Sequence, residues 1–148
     1  MRAAVCSCAI LSISVEGEPG YFGACSCRAC QKATGSVFSM SAYFPRSAVA
    51  AIAGEHRLYR RQSDGGRWLD FHFCPTCAST VFWYAEFDPD SIGIAVGNFT
   101  DPGFGPPQYA VWCEAQHPWV RFPEACRTFA RHPDLRSQAP ILVATTQS

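Results

Sequence analysis

Seven cysteines constrain this chain more than any other feature. They fall in three short motifs: Cys6-Ser7-Cys8, Cys25-Ser26-Cys27-Arg28-Ala29-Cys30 and Cys74-Pro75-Thr76-Cys77. Of the 9 cysteines, only Cys113 and Cys126 stand outside them. An odd total excludes complete pairing within the chain. In a reducing compartment such spacings mark metal ligands or reactive thiols rather than disulfides. No apolar run approaches the length of a membrane span, and MRAAVCSCAI has neither a long apolar region nor a cleavage site. The expected location is therefore cytoplasmic, with no membrane contact.

The spacings have a physical reading. In an extended segment, residues i and i+2 point to the same side, with Cα atoms about 6.5–7 Å apart. That is near the upper limit for a disulfide but suits two thiolates on one zinc ion. A C-x-x-C turn likewise aims two sulfurs at one ion. Counting ligands gives a partition. Cys6 and Cys8 with Cys74 and Cys77 make a four-thiolate structural zinc site, which would couple metal binding to folding. Cys25, Cys27 and Cys30 remain, giving three ligands and one open position, the pattern of a catalytic zinc. Three alternatives stay open: buried free thiols in the four-cysteine set, an unnoticed fourth ligand at the triplet, or a redox trio there.

The 148 residues suit one domain with one core, and a chain that is 48% hydrophobic and 14% aromatic packs rather than disorders. Its 12 basic and 12 acidic residues cancel, which argues against nucleic acid as a partner. The class is mainly β. Alternation predicts strands over 9–15, 36–44 and 91–99, with a turn at DPDS. DPGFGPP at 101–107 is a rigid loop and QYAVWC at 108–113 a strand. Asp64-Gly65 between HRLYRRQ and RWLDFHF predicts a hairpin. RACQKAT at 28–34 predicts helical turns stopped by Gly35, and 46–52 a short helix. We expect a folded domain over 1–132 and a tail over 133–148. Nothing in the sequence specifies an oligomer.

The order C-x-C, C-x-C-x-x-C, C-x-x-C resembles the glutathione-dependent formaldehyde-activating enzymes. Gly54-Glu55 followed by Leu58-Tyr59 is similar to a segment of that family, as are Phe73-Cys74-Pro75-Thr76-Cys77 and Gly97-Asn98-Phe99-Thr100-Asp101-Pro102. The resemblance covers roughly residues 5 to 120. It implies a tent-like, zinc-stapled β fold with short helical turns, shared with centromere protein V. It also implies a carbon–sulfur lyase that forms or cleaves S-hydroxymethylglutathione. Two zinc ions per chain and glutathione as a co-substrate go with it. The alternative is a zinc-stapled binding module without catalysis. The family usually has His where this chain has Ser26, and Gly where it has Ala9 and Ala78.

Other groups carry less. Cys113 and Cys126 lack a partner at ligand spacing and read as single thiols. His117, in a loop with Glu114 and Trp119, is the better functional histidine, although a hydrogen-bonded loop residue is the plainer account. His72 shares a strand face with Trp68 and Asp70, which suits a surface or cleft. Arg60, Arg61 and Arg67 read as solvated, and any of them could hold a carboxylate of a glutathione-like ligand.

Overall fold

The computed structural model describes residues 1–133. The tail expected from residue 133 onward lies, apart from Pro133, outside the described residues. Among the described residues the chain is mainly β, and one α-helix interrupts the strands.

A small antiparallel sheet is built from β1 (Arg2–Val5), β2 (Ser12–Val15) and β5 (Val49–Ala53). A large sheet runs in the order β11-β10-β3-β4-β9-β8-β7-β6. Its members are β3 (Tyr21–Cys25), β4 (Ser39–Pro45), β6 (Arg57–Gln62), β7 (Trp68–Phe73), β8 (Thr80–Ala85), β9 (Asp88–Ala95), β10 (Tyr109–Val111) and β11 (Arg127–Thr128). β3 pairs with β10 in parallel and with β4 antiparallel.

Strand alternation gives the large sheet two different faces. One face presents Phe44, Phe82, Ile92 and Ile94 to Leu11, Ile13 and Val15 of the β2 segment, and this is the main core. Each of these side chains is essentially inaccessible. Burial of each contributes roughly 1.5–3 kcal/mol. The opposite face carries Tyr21, Gly23 and Cys25 of β3, and the site lies on that side.

Several strand limits differ from the sequence expectation. Ala9 to Leu11 are not strand, because the chain turns at Cys6–Ala9: the Ala9 N–H donates to Cys6 O at 3.0 Å, and Ala9 has φ 65°. Residues 46–52 hold only a single 3-10 turn, Arg46–Ala48, before β5 begins. The β8–β9 turn is Glu86-Phe87, so Asp88, Pro89 and Asp90 belong to the strand. Tertiary contact overrides the local turn signal there, since the Tyr21 hydroxyl donates to Asp88 Oδ2 at 2.6 Å. The hairpin at Asp64-Gly65 forms as expected, with Arg57 opposite Phe73 and Gln62 opposite Trp68.

Candidate metal centres and the cavity between the sheet and its loops

The Cys6–Cys8 and Cys74–Cys77 motifs are both tight turns. In each, the residue after the second cysteine is left-handed: Ala9 at φ 65° and Ala78 at φ 64°. The Ala78 N–H donates to Cys74 O at 2.8 Å, and the Leu11 N–H donates to Cys6 Sγ at 3.2 Å. Two extended i, i+2 thiols were expected at Cys6–Cys8; a turn delivers them instead. β1 is held against the large sheet by the segment after β9. Asn98 Nδ2 donates to Val5 O at 3.1 Å, and the Thr100 N–H donates to Ala3 O at 2.9 Å. Ser79 joins the two turns, its Oγ accepting the Ser7 N–H at 3.1 Å and lying 2.9 Å from Ser7 Oγ.

These turns bring the Sγ atoms of Cys6, Cys8, Cys74 and Cys77 within 4.8 Å of one another. Cys6 and Cys8, and Cys8 and Cys74, stand 3.6 Å apart. A tetrahedron with Zn–S bonds of about 2.3 Å has an edge of about 3.8 Å. The sulfurs thus sit at the separation a zinc ion requires, and the donor set fits a metal. Hydrogen bonds from Ser79, through its hydroxyl and its backbone, lower the Cys77 thiol to about 5, which favours the thiolate a metal needs.

The triplet is local. Cys25 ends β3. Cys27 is the N-cap of α1 (Arg28–Thr34), its Sγ accepting the Cys30 N–H at 3.3 Å. Gly35 closes the helix in the left-handed conformation, as its position suggested. The three Sγ atoms lie within 4.8 Å of one another, and among the described residues no fourth His, Cys, Asp or Glu joins them. Arg61, on β6, donates from Nη2 to Cys30 Sγ at 3.4 Å. Hydrogen bonds from Cys25 and Cys27, with the Arg61 charge in support, hold the Cys30 thiol well below its ordinary value. Cys25 is pushed up, by its hydrogen bonds to Cys27 and Cys30 and by burial. This donor set fits a metal as well.

The triplet borders a cavity of about 930 Å³. The hairpin residues Arg61, Asp64 and Arg67 border it on one side, and Tyr109, Trp112 and His132 on another. Ser26 is not part of the cavity wall. It is fully buried, and its Oγ has no hydrogen-bond partner. The place where the resembled family has His thus lies in the packing behind the thiols.

Gln31 is a site residue that sequence reasoning passed over. It is 6% exposed, and its Nε2 donates to Ser26 O at 2.8 Å and to Ala115 O at 3.1 Å. Its Oε1 accepts from Arg28 and lies 3.1 Å from His117 Nε2. The amide orientation is set by the two carbonyls, so His117 Nε2 carries the proton. Gln31 therefore ties the cysteine loop, α1 and the 113–117 segment together, and His117 is a supporting residue away from the cavity. The only advance signal was a glutamine placed directly after the last triplet cysteine. Cys113 and Cys126 share an apolar cluster with Ala24 and Ala110. Burial raises both thiols, which makes them packing groups. Arg60 pairs with Asp70 at 2.6 Å. His72 stacks on Phe82 at a ring separation of 4.7 Å, partly buried, with neither ring nitrogen hydrogen-bonded.

Comparison with known proteins gives three findings. The family profile described as glutathione-dependent formaldehyde-activating enzyme matches residues 1–115. No curated protein matches. A crystal structure of a Rhodobacter sphaeroides protein is similar, with a TM-score of 0.52 and 21% identity, covering 70% of this chain and 91% of that one. At that identity the likeness concerns the fold alone.

Proposed function

The chain belongs to the glutathione-dependent formaldehyde-activating enzyme family, and from that premise we propose that it is a carbon–sulfur lyase acting on a thiol–carbonyl adduct of the S-hydroxymethylglutathione type. The observation that carries the reading is the three-thiol cluster, without a fourth protein ligand among the described residues, at the edge of a 930 Å³ cavity. Cys25, Cys27 and Cys30 would hold a zinc ion there, and Cys6, Cys8, Cys74 and Cys77 a second one. A zinc ion bound by three thiolates supplies an open position suited to a fourth, soft sulfur ligand.

The remaining chemistry belongs to the chain. Cleavage breaks the C–S bond of the adduct, the sulfur keeps the bonding pair, and the adduct hydroxyl gives its proton to solvent to leave a free carbonyl. The leaving sulfur is therefore a thiolate. Arg61 stands beside Cys30 and offsets the negative charge that collects there. Gln31 and the Cys27 cap hold the cysteine loop in place, so the three sulfurs converge without rearrangement. Arg67, which lines the cavity, would meet a carboxylate of the thiol component. No helix among the described residues is long and apolar enough to cross a membrane. A reducing, cytoplasmic setting would suit a chain whose motifs need free thiols.

The test is formaldehyde release from S-hydroxymethylglutathione by protein loaded with two zinc ions per chain. We expect turnover in the wild type and its loss in Cys30→Ser, with the fold retained by circular dichroism. Full zinc loading with no turnover, and no heat on titration with millimolar glutathione, would sink the lyase reading and leave a binding module.

A further inference from the structure

We propose that the adducts this cavity takes carry, on the thiol or the carbonyl side, an aromatic or extended apolar group seated on a floor of aromatic rings in the large sheet. The proposal rests on the reading of the three-thiol site as open, and narrows its substrate.

The floor comes from strand register. Tyr21, Tyr43, Gly93, Trp83, Phe71 and Tyr59 stand opposite one another in sequence across β3, β4, β9, β8, β7 and β6. Directly opposed residues share a face, so this is one row across six strands, of which Tyr43, Trp83, Phe71 and Tyr59 line the cavity. Cys25 lies four positions along β3 from Tyr21, on the same face. Tyr21 stacks on Tyr43 at 4.7 Å, Tyr43 meets Trp83 edge-on at 6.3 Å, and Phe71 lies 5.5 Å from Trp83. The Arg61 guanidinium sits over the Phe71 ring at 4.8 Å, linking the row to the thiols.

Two glycines make the arrangement possible. A Cβ on Gly93 would fall 2.3 Å from Trp83 Nε1, and one on Gly23 would fall 2.5 Å from the Tyr109 ring. Both rings therefore lie flat against the sheet backbone. Two polar tips of the row are tied off: Trp83 Nε1 donates to Tyr43 Oη at 3.1 Å, and the Tyr21 hydroxyl donates to Asp88. With these two groups engaged, most of what the row presents is ring surface. A one-carbon carbonyl occupies little more than the ~30 Å³ share of one water, far below the space present. Arg61 and Arg67 border the cavity and can each meet a carboxylate of glutathione, but between them the row presents ring faces on which a planar or apolar group stacks.

The experiment is isothermal titration of the zinc-loaded protein with benzyl mercaptan, 2-mercaptoethanol and glutathione. Benzyl mercaptan is expected to bind about tenfold or more tighter than either of the others. Because Phe71 also supports Arg61, the readout is the ratio of the two affinities: Phe71→Ala should cut the benzyl mercaptan to 2-mercaptoethanol ratio severalfold, and Phe71→Leu, which removes the ring but keeps an apolar side chain, gives the same comparison should Phe71→Ala not fold. Glutathione binding as tightly as benzyl mercaptan, or an advantage that survives both variants, overturns the aromatic proposal and leaves the open site standing. If none of the three thiols binds, the open-site reading falls and the proposal falls with it.

Discussion

Cys6, Cys8, Cys74 and Cys77 come from two turns far apart in sequence, whereas Cys25, Cys27 and Cys30 come from one strand end and the helix that follows it. The four-thiol set ties β1 of the small sheet to the β7–β8 turn of the large one. Its buried members, Cys6 and Cys74, belong to the main hydrophobic core. The three-thiol set closes no long loop and borders a cavity instead. A ligand set that spans the fold stabilises it by closing long loops. One that sits within six residues contributes little to the fold and is free to keep a coordination position open. On the proposed reading the same side chain would serve stability at one end and chemistry at the other, and the difference lies in where the backbone brings the sulfurs from.

The largest expected effect tests that division directly. Cys74→Ser should cost at least about 5 kcal/mol, or roughly 10–20 °C in Tm, because it removes a buried ligand from the long-range staple. Cys27→Ser should cost under about 2 kcal/mol, since a serine can still cap α1. Thermal unfolding of both zinc-loaded variants checks this. Equal losses would break the comparison, because the triplet would then be structural too.

A smaller effect sharpens it. Ala9 and Ala78 close the two turns in the left-handed region, where a Cβ costs about 1–2 kcal/mol. Glycine relieves that strain and loses part of the gain to its freer unfolded state. Ala9→Gly and Ala78→Gly should each stabilise the protein by about 1 kcal/mol in denaturant unfolding, and act only at the four-thiol end. The family's usual glycines at these positions have this physical reason. If either change destabilises, the turns do not need the left-handed conformation.

The cysteine motifs were legible because metal spacing is a local property. The 57–73 hairpin and the Gly35 stop were legible for the same reason, each resting on turn chemistry a few residues long. The left-handed alanines were not, since alanine is no turn signal and the strain shows only in the backbone. Asp88-Pro89-Asp90 reads as a turn in isolation, yet pairing with β8 and the Tyr21 hydroxyl draws it into β9. The aromatic row was hidden for a deeper reason. Each of its residues alternates correctly within its own strand, but their alignment depends on the register of six strands, which no single segment encodes. Gln31 escaped because a buried amide gives no sign in sequence of which carbonyls it will meet.

The smallest effect belongs to the cavity end. His132 borders the cavity, with Phe87 at a ring separation of 4.8 Å and Nδ1 at 2.9 Å from Pro133 O. Burial lowers its pKa below the ordinary histidine value, and the nearby Arg67 charge acts in the same direction. The unfolded chain therefore binds this proton more readily than the folded one. Stability is unaffected well above pH 6.5, falls as the pH drops below it, and levels off once the folded-state histidine also titrates. Uptake of one proton limits the slope to about 1.4 kcal/mol per pH unit, or about 0.7 kcal/mol between pH 6.5 and 6. In His132→Gln that share of the acid sensitivity should vanish, while the acid release of zinc from the four-thiol turns stays the same. Urea unfolding of zinc-loaded wild type and variant across pH 7.5 to 6 reads the difference. Parallel curves would mean that His132 is solvated in the folded state, and that the cavity is wetter on this side than its burial indicates.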